Sequence, residues 1–350
     1  MKAQTRFGPL RTSPPAAVVQ AIGGDGSPWR TDRLGSDGPF PNGGMWRVLQ
    51  PGTPGASAVV KRTGPGHLGG DPVWAGAVDS ADPQWWGREA VFYQSDLAAA
   101  GWTDGCRAAR CWAIDDHDDG RDLWLEDVAD LPLLGEAYPR LVGALATWQV
   151  HHRGVDRPWL AHGWIPEHLR RRGLDNKRTL GDVRWSRLFE AGVPTSVQDA
   201  VRHRLTDPAA IGRLVDQLPQ LLTHYDFHHM NLGRVADEIV IIDWATVGLG
   251  PVGHDVGVLL VDHATGLRDA LPEQWEKLVA TYAEALGAAG SQIPVAEVER
   301  SVAISTVLRH GWVIDYVLAL SDRLSLEELA TLATLLVHLG KLQSRHLVQG

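Results

Sequence analysis

Cysteine is nearly absent from this sequence: Cys106 and Cys111 are the only two among 350 residues. No second pair exists to complete a tetrahedral thiolate zinc site, and two buried thiols in a reducing cytoplasm is the reading they allow. A basic excess is missing as well. Lysine and arginine total 33 against 42 aspartates and glutamates, for a net charge of −9. A nucleic-acid binder replaces condensed counterions with a basic face. The one dense basic stretch here, Arg170–Arg172 with Lys177 and Arg178, reads as a solvated helix face. Long apolar runs are also lacking. The best, Val302–Leu320, is interrupted by Arg309, His310 and Asp315, and falls short of the roughly 18 clean apolar residues of a membrane span. Met1–Ile22 has basic residues but no continuous apolar stretch, so it is a poor signal peptide. These absences predict a cytoplasmic protein with no nucleic-acid and no membrane partner.

What is present is the balance of a soluble globular chain, 44% hydrophobic and 21% charged. The length predicts two domains at roughly 150 residues each. Strand-like runs, Trp46–Leu49, Ala56–Lys61, Ala108–Ile114 and Leu123–Val128, alternate with Gly/Pro clusters such as Gly35–Gly44. Gln84–Ala100 reads as a helix between them. After about Ala129 helical stripes take over. Leu141, Leu145 and Trp148 trace one, and Trp275, Leu278, Val279, Tyr282 and Leu286 another. Ser325 with Glu328 forms a capping box for a final helix over Leu329–Leu339. One short apolar strand, Ile239–Ile242, interrupts the helices and ends at Asp243. A small β-rich region over residues 1–128 followed by a larger helical one over 129–350 is the predicted α+β organisation.

The densest chemistry lies in His224-Tyr225-Asp226-Phe227-His228-His229-Met230-Asn231. Asp243 follows twelve residues after Asn231. A carboxylate beside a turn, an amide five residues on and a second carboxylate at a strand end can orient a hydroxyl nucleophile and hold Mg²⁺ on nucleotide phosphates. The hard cation takes oxygen ligands, which an Asn amide and an Asp carboxylate supply.

This ordered set resembles the catalytic loop of aminoglycoside phosphotransferases and choline-kinase-like enzymes, relatives of protein kinases. Their loop reads His-Gly-Asp-Leu-His-x-x-Asn and is followed by Ile-Asp-Trp or Ile-Asp-Phe. Here Tyr225 stands for the Gly and Phe227 for the Leu, while Ile242-Asp243-Trp244 matches. Gly248-Leu249-Gly250-Pro251-Val252-Gly253-His254-Asp255 is similar to the family's Gly-x-Gly-Pro-x-x-x-Asp. The resemblance implies a two-lobed protein-kinase-like fold, with Asp226 as catalytic carboxylate, Asn231 and Asp243 as metal ligands, and Asp255 as a buttress of the loop. Upstream, Ala58-Val59-Val60-Lys61 resembles the strand whose lysine reaches the phosphates, and Arg88-Glu89-Ala90 the helix whose glutamate pairs with it. Leu123–Val128 resembles the hinge, with Glu126 and Val128 beside the adenine. Gly43 and Gly44 stand where backbone amides approach phosphates, without spelling the protein-kinase glycine signature. The implied activity is transfer of the γ-phosphate of ATP, with Mg²⁺, to a hydroxyl of a small molecule.

Rival readings attach to some of the same residues. Gly64-Pro65-Gly66-His67-Leu68-Gly69 fits a dinucleotide pattern, but Gly70-Asp71-Pro72 breaks the helix that should follow, which makes it a loop. His224, Asp226, His228 and His229 would also suit zinc or iron. A nucleotide-binding regulator without turnover is the alternative of another class, and the joint presence of Lys61, Asp226, Asn231 and Asp243 argues against it. As to the acceptor, residues 251–330 carry twelve carboxylates against five basic side chains. That charge favours a hydroxylated, aminoglycoside-like amine, with a sugar or a choline-type compound as the alternative. Asp315, among Trp312, Val313, Ile314 and Val317, is the carboxylate expected to point into the cleft.

Overall fold

The run Ser57–Thr63 shows how the sequence sets the first layer. Successive strand side chains point to opposite faces, so Ala58 and Val60 share one face while Lys61 takes the other. Ala58 and Val60 pack with Val18, Val48 and Trp124, all buried. Lys61 faces the helix Arg88–Gln94, beneath which Ala90 packs on Leu123 and Leu125. The computed structural model describes residues 13–24, 28–34, 44–53, 55–65, 73, 75–118, 120–130, 137–264 and 270–347. Gly43 and most of Gly64–Gly69 lie outside these, so the expectations placed on them do too.

The first sheet is antiparallel throughout. Strands β1 (Arg30–Leu34), β2 (Gly44–Leu49), β3 (Ser57–Thr63), β5 (Cys111–His117) and β6 (Gly120–Glu126) lie in the order β1-β2-β3-β6-β5. Lys61 on β3 pairs across to Leu123 on β6. A second sheet joins β4 (Cys106–Ala108), β10 (Glu238–Ile241), β9 (Leu232–Val235) and β7 (Ala129–Asp130) in that order. The β4–β10 pair is parallel and the others antiparallel. A two-stranded ribbon, β8 (Gln220–Thr223) with β11 (Gly248–Pro251), completes the strands among the described residues. Helices dominate after residue 137, the longest being Leu271–Ala288, Val295–His310 and Leu326–His346. The fold is thus α+β: an antiparallel sheet region followed by a mostly helical one.

Two predicted elements differ from what forms. The strand expected over Ala108–Ile114 splits at Ala109–Arg110, because two sheets compete for it. The Ala109 N–H donates to Ile241 in the second sheet, while the Arg110 carbonyl accepts from Glu126 in the first, both at 2.9 Å. The helix expected over Gln84–Ala100 is only Arg88–Gln94, followed by a 3-10 turn Asp96–Ala98. Ser95 ends it: its hydroxyl bonds the Phe92 carbonyl and accepts from Leu97, a local alternative to helix continuation.

Elsewhere the patterns hold. Trp275, Leu278, Val279, Tyr282 and Leu286 are all buried on the helix Leu271–Ala288. Ser325 and Glu328 make the reciprocal capping box of the last helix. Val295–Arg323 passes by length and composition for one membrane-crossing helix, yet its most apolar part is 67% buried inside the protein. It is built as the helices Val295–His310 and Val313–Leu320. The large aromatics serve the core. Phe92, on the Glu89 helix, stacks on Trp244, next to Asp243, with ring centroids 4.2 Å apart, and this contact ties two functional segments together.

Candidate active site

The loop between β8 and the 3-10 turn His229–Asn231 carries Asp226. Its shape is fixed from beneath. Asp255, fully buried at the start of the helix His254–Asp262, accepts the His224 and Tyr225 N–H groups, each at 2.9 Å. Burial pushes the Asp255 carboxyl up to about 7 against the pull of those two bonds. Tyr225 sits at φ 69°, in the left-handed region that bulky residues avoid at a cost of about 1–3 kcal/mol. This explains why a glycine suits the position in the resembled motif. Tyr225 offsets the cost by full burial, by stacking on Trp164 at 5.0 Å and by donating its hydroxyl to the Leu249 carbonyl at 2.6 Å. Its ring needs the adjacent glycine, since a Cβ on Gly250 would lie 2.4 Å from the Tyr225 hydroxyl.

Asp226 itself is surrounded by donors. His228 Nε2 and Asn231 Nδ2 approach Oδ2, each at 3.3 Å, and Arg309 Nη2 approaches Oδ1 at 3.4 Å. Burial raises the carboxyl pKa, but the bond to His228 and the charges of His228 and Arg309 outweigh it, holding the group well below the usual carboxylate range. His228 is shifted upward, its burial outweighed by Asp226. Asn231 also donates Nδ2 to the Asp226 carbonyl at 2.8 Å, which fixes the amide and leaves its oxygen to face elsewhere.

Asp243 stands close to Asn231 because Ile242 donates its N–H to the Asn231 carbonyl at 3.0 Å. It too has a positive φ, 62°, which aspartate tolerates better than most residues. Lys61 reaches both Asp243 Oδ1 and Glu89 Oε2 at 2.6 Å. For Lys61 burial lowers the pKa, and Asp243 with Glu89 reverse this to a net rise, so the ammonium is charged. Glu89 is pushed up to about 7 by burial, against Lys61. The structure therefore brings together Lys61, Glu89 and Asp243, and separately Asp226 and Asn231, with the backbone joining the two groups.

Two chemistries can be compared with this arrangement. An amide oxygen left free by its own donor bond and a carboxylate with one oxygen on Lys61 are the donor set of a hard divalent cation, so Asn231 and Asp243 fit Mg²⁺. The proposed zinc or iron quartet is not assembled. His224 spends Nε2 on the Ile242 carbonyl at 2.9 Å, and its Nδ1 accepts the Asp226 N–H at 3.3 Å. Burial pushes its pKa down to about 4, so the ring is neutral. His229 turns instead to Asp262, to which both its backbone N–H and its Nδ1 are bonded. His228, His229 and Asp262 do bring ligand-type atoms within 4.8 Å of one another.

The remaining predicted residues are less committed. Gly44 opens β2 at φ 125°, a conformation only glycine adopts readily. The Glu126 side chain is clamped by Arg107 at 2.6 and 2.9 Å and its N–H by the Arg110 carbonyl, so any contact with a base would use its carbonyl. Val128 follows on the connection to the second sheet and packs against Gly233 of β9. Asp315 does not point into the cleft. It pairs with Arg204 and accepts from Thr179, because the apolar residues around it belong to a neighbouring helix cluster. Eight of the other carboxylates in 251–330 are exposed on helix or turn surfaces: Glu273, Glu276, Glu284, Glu297, Glu299, Asp322, Glu327 and Glu328. The charge of that segment therefore does not describe a pocket. Among the described carboxylates of that segment, Asp262 reaches the Asp226 loop, through His229, without being part of its frame.

Two arginines escaped sequence reasoning. Arg88, fully buried beside Glu89, bonds the carbonyls of Asp82, Pro83, Trp159 and Ala245 at 2.8–3.3 Å. Arg309 reaches Asp226 from the helix Val295–His310. Its signal was present as the charge interrupting an apolar run.

With this geometry in view, comparison with known proteins is direct. The sequence model of the phosphotransferase enzyme family matches residues 81–297, more than half of the chain. The chain belongs to that family, and so is a small-molecule phosphotransferase. The matched region contains Glu89, Asp226, Asn231, Asp243 and Asp255, while Lys61 and Arg309 lie outside it. Among solved structures it is similar to a choline kinase from Cryptosporidium parvum, at 12% identity and a TM-score of 0.50, covering 92% of this chain and 91% of that one. An ethanolamine kinase of Plasmodium vivax gives 11% and 0.49, with 91% and 84% covered. An aminoglycoside phosphotransferase solved with ADP and hygromycin B gives 13% and 0.45, with 93% and 97% covered. The likeness to the choline kinase bears on the fold, which is kinase-like and two-lobed. No curated protein matches the sequence.

Proposed function

We propose that this phosphotransferase moves the γ-phosphate of ATP to a hydroxyl of a small acceptor, with Asp226 as the group that orients the hydroxyl and takes its proton. The observation that carries the reading is the Asp226 carboxylate, ionised and held by donors at both oxygens, and linked through Asn231, whose carbonyl accepts from Ile242, to the Lys61–Glu89–Asp243 cluster. Lys61, fixed by Glu89, meets the nucleotide phosphates. Asn231 and Asp243 would hold Mg²⁺, which when bound neutralises charge on those phosphates. Catalysis is then mainly positioning and charge neutralisation. The acceptor oxygen forms its bond to phosphorus as the bond to ADP breaks, and the hydroxyl proton passes to Asp226. Residues 1–128 serve the nucleotide, with the carbonyl of Glu126 and the backbone of Val128 beside the adenine and Gly44 near the phosphates; residues 129–350 supply the catalytic loop and the acceptor side.

Asp262 supports an amine on the acceptor. Its side chain is partly exposed beside the Asp226 loop, and both of its bonds to His229 use Oδ2. The decisive experiment is a phosphate-transfer screen of the purified protein with ATP and Mg²⁺ against amino sugars, choline-type amines, neutral sugars and carboxylates. It is run beside Asp226→Asn. The reading expects transfer to a hydroxylated amine, lost by orders of magnitude in Asp226→Asn with nucleotide affinity kept. Normal turnover by a folded Asp226→Asn protein would sink the assignment. A neutral sugar as best acceptor would remove the amine and leave the rest standing.

A further inference from the structure

Arg309 is a full charge in a place built for apolar groups. Every residue from Ser301 to His310 is buried, and the Arg309 side chain is only 7% exposed. A guanidinium in such a site costs several kcal/mol unless its surroundings compensate. Its neighbours do so. Its Cζ lies 5.0 Å from the centroid of the Trp164 ring, Nη1 is 3.0 Å from His168 Nε2, and Nη2 is 3.4 Å from Asp226 Oδ1. His168, His254 and His310, which surround it, are pushed down by burial first and by the Arg309 charge next. They are therefore neutral, and His168 accepts through Nε2. Burial brings Arg309 itself down to about 10, so it remains a cation at neutral pH.

The arrangement has a direction. Trp164 and His168 hold the guanidinium from the helix Trp164–Arg172, and its remaining edge is turned to the catalytic loop. There it approaches the oxygen of Asp226 that His228 and Asn231 do not, so the carboxylate is gripped from both ends. A carboxylate with one donor could rotate about its last bond; one with donors on both oxygens keeps a single plane. Because Arg309 is buried behind Asp226, its effect reaches the acceptor only through that carboxylate.

We propose that Arg309 is a positioning residue for phosphoryl transfer: braced on Trp164 and His168, it fixes the Asp226 carboxylate in the orientation that meets the acceptor hydroxyl. This rests on the reading of Asp226 given above. The test compares wild type, Arg309→Met, Arg309→Lys, Asp226→Asn and the Arg309→Met/Asp226→Asn double variant. It measures kcat, acceptor KM and the stoichiometry of nucleotide binding. Arg309→Met should lower kcat by about 10²-fold, the scale of a displaced reacting group, with acceptor KM and nucleotide stoichiometry unchanged. Arg309→Lys should recover only part, since an ammonium cannot lie on Trp164 and reach both partners as a planar fork does. In an added Arg309→Ala variant, which leaves room for it, guanidinium ion at millimolar concentration should raise kcat, while sodium chloride at equal ionic strength should not. In the Asp226→Asn background, Arg309→Met should add no further loss.

A normal kcat in Arg309→Met overturns the proposal, as does a raised acceptor KM at unchanged kcat, which would make Arg309 a direct acceptor contact. Additive losses in the double variant overturn it too. If Arg309→Met does not fold, judged by nucleotide stoichiometry, Arg309→Lys decides by the same kcat and KM criteria. If Asp226→Asn turns over normally, the reading of Asp226 itself falls. If Asp226→Asn is inactive while Arg309→Met is normal, only the positioning role falls.

Discussion

Replacing Lys61 by methionine probes the charge cluster at the lobe junction, and the structure sets the size of the effect. Lys61 is 2% exposed and holds Glu89 and Asp243, each at 2.6 Å. Removing one partner from a buried ion pair costs about 3–5 kcal/mol, because the other charge is left where solvent cannot reach it. Glu89 has a way to lower that cost. Burial already pushes it up to about 7 against the pull of Lys61, and once the pull is gone it binds a proton near neutral pH. A carboxyl whose folded pKa is raised contributes stability at low pH and loses it as pH climbs through the folded value. The penalty of Lys61→Met should thus be small at pH 6 and grow toward that range by pH 9. Glu89→Gln leaves Lys61 with Asp243 and should destabilise less steeply with pH. The double variant, neutral at both positions, should lose less than the sum of the singles by about 1–3 kcal/mol. Urea unfolding of the four proteins at pH 6 and pH 9 measures all of this. In turnover, Lys61→Met should lose about 10²–10³-fold, the scale for removing one preorganised donor. Glu89→Gln should lose less, and the double no more than Lys61→Met. A Lys61→Met penalty flat in pH refutes the protonation argument, and additive losses refute the pairing.

Three further outcomes are expected. Asp243→Ala should weaken Mg²⁺-dependent nucleotide binding more than Asn231→Ala, since one removes a charged oxygen and the other a neutral one; calorimetry with and without Mg²⁺ checks this, and wild-type binding indifferent to Mg²⁺ would contradict it. Gly250→Ala should cost about 1–3 kcal/mol of stability by overpacking, because its Cβ would meet the Tyr225 hydroxyl at 2.4 Å and a ring carbon at 2.6 Å; a thermal melt unchanged from wild type would refute the contact. Asp255 is raised from 3.8 to about 7, so it binds its proton more readily folded than unfolded, and wild-type stability should fall between about pH 4 and pH 7. Asp255→Asn should remove that component of the pH dependence while loosening the loop, and an identical pH profile in both proteins would show that Asp255 does not titrate there.

The proximity of Asp226, Asn231 and Asp243 was legible because they are ordered along one loop and one strand, while the roles proposed for them rest on the family resemblance. Lys61 was legible only through the resemblance of Ala58-Val59-Val60-Lys61 to the family's lysine strand; alternation explains why it faces away from Ala58 and Val60 in the fold. What escaped was decided by contacts far away in sequence. Nothing in Ala108–Ile114 says that one half pairs with residue 241 and the other with residue 126. Asp315 sits among apolar residues, which suggests an inward direction, yet only the fold reveals that inward means toward Arg204. Arg309 was visible as a flaw in an apolar run. Its meaning required the loop that lies 83 residues away in sequence.

Arg88 gives the molecule a mechanical property. It sits beside Glu89 on the helix Arg88–Gln94, and four carbonyls hold its guanidinium, two just before that helix and two, on Trp159 and Ala245, in the mostly helical region beyond residue 137. Together with the Phe92–Trp244 stack, this acts as a rivet through both lobes. Swinging the helix outward would strip a buried cation of its acceptors, at a cost of several kcal/mol. In enzymes where such a helix moves freely, breaking the lysine–glutamate pair is a way to switch activity off. Here the Lys61–Glu89 pair is made, and Arg88 with the Phe92–Trp244 stack holds the same helix, so any outward swing of that helix would have to break these contacts as well.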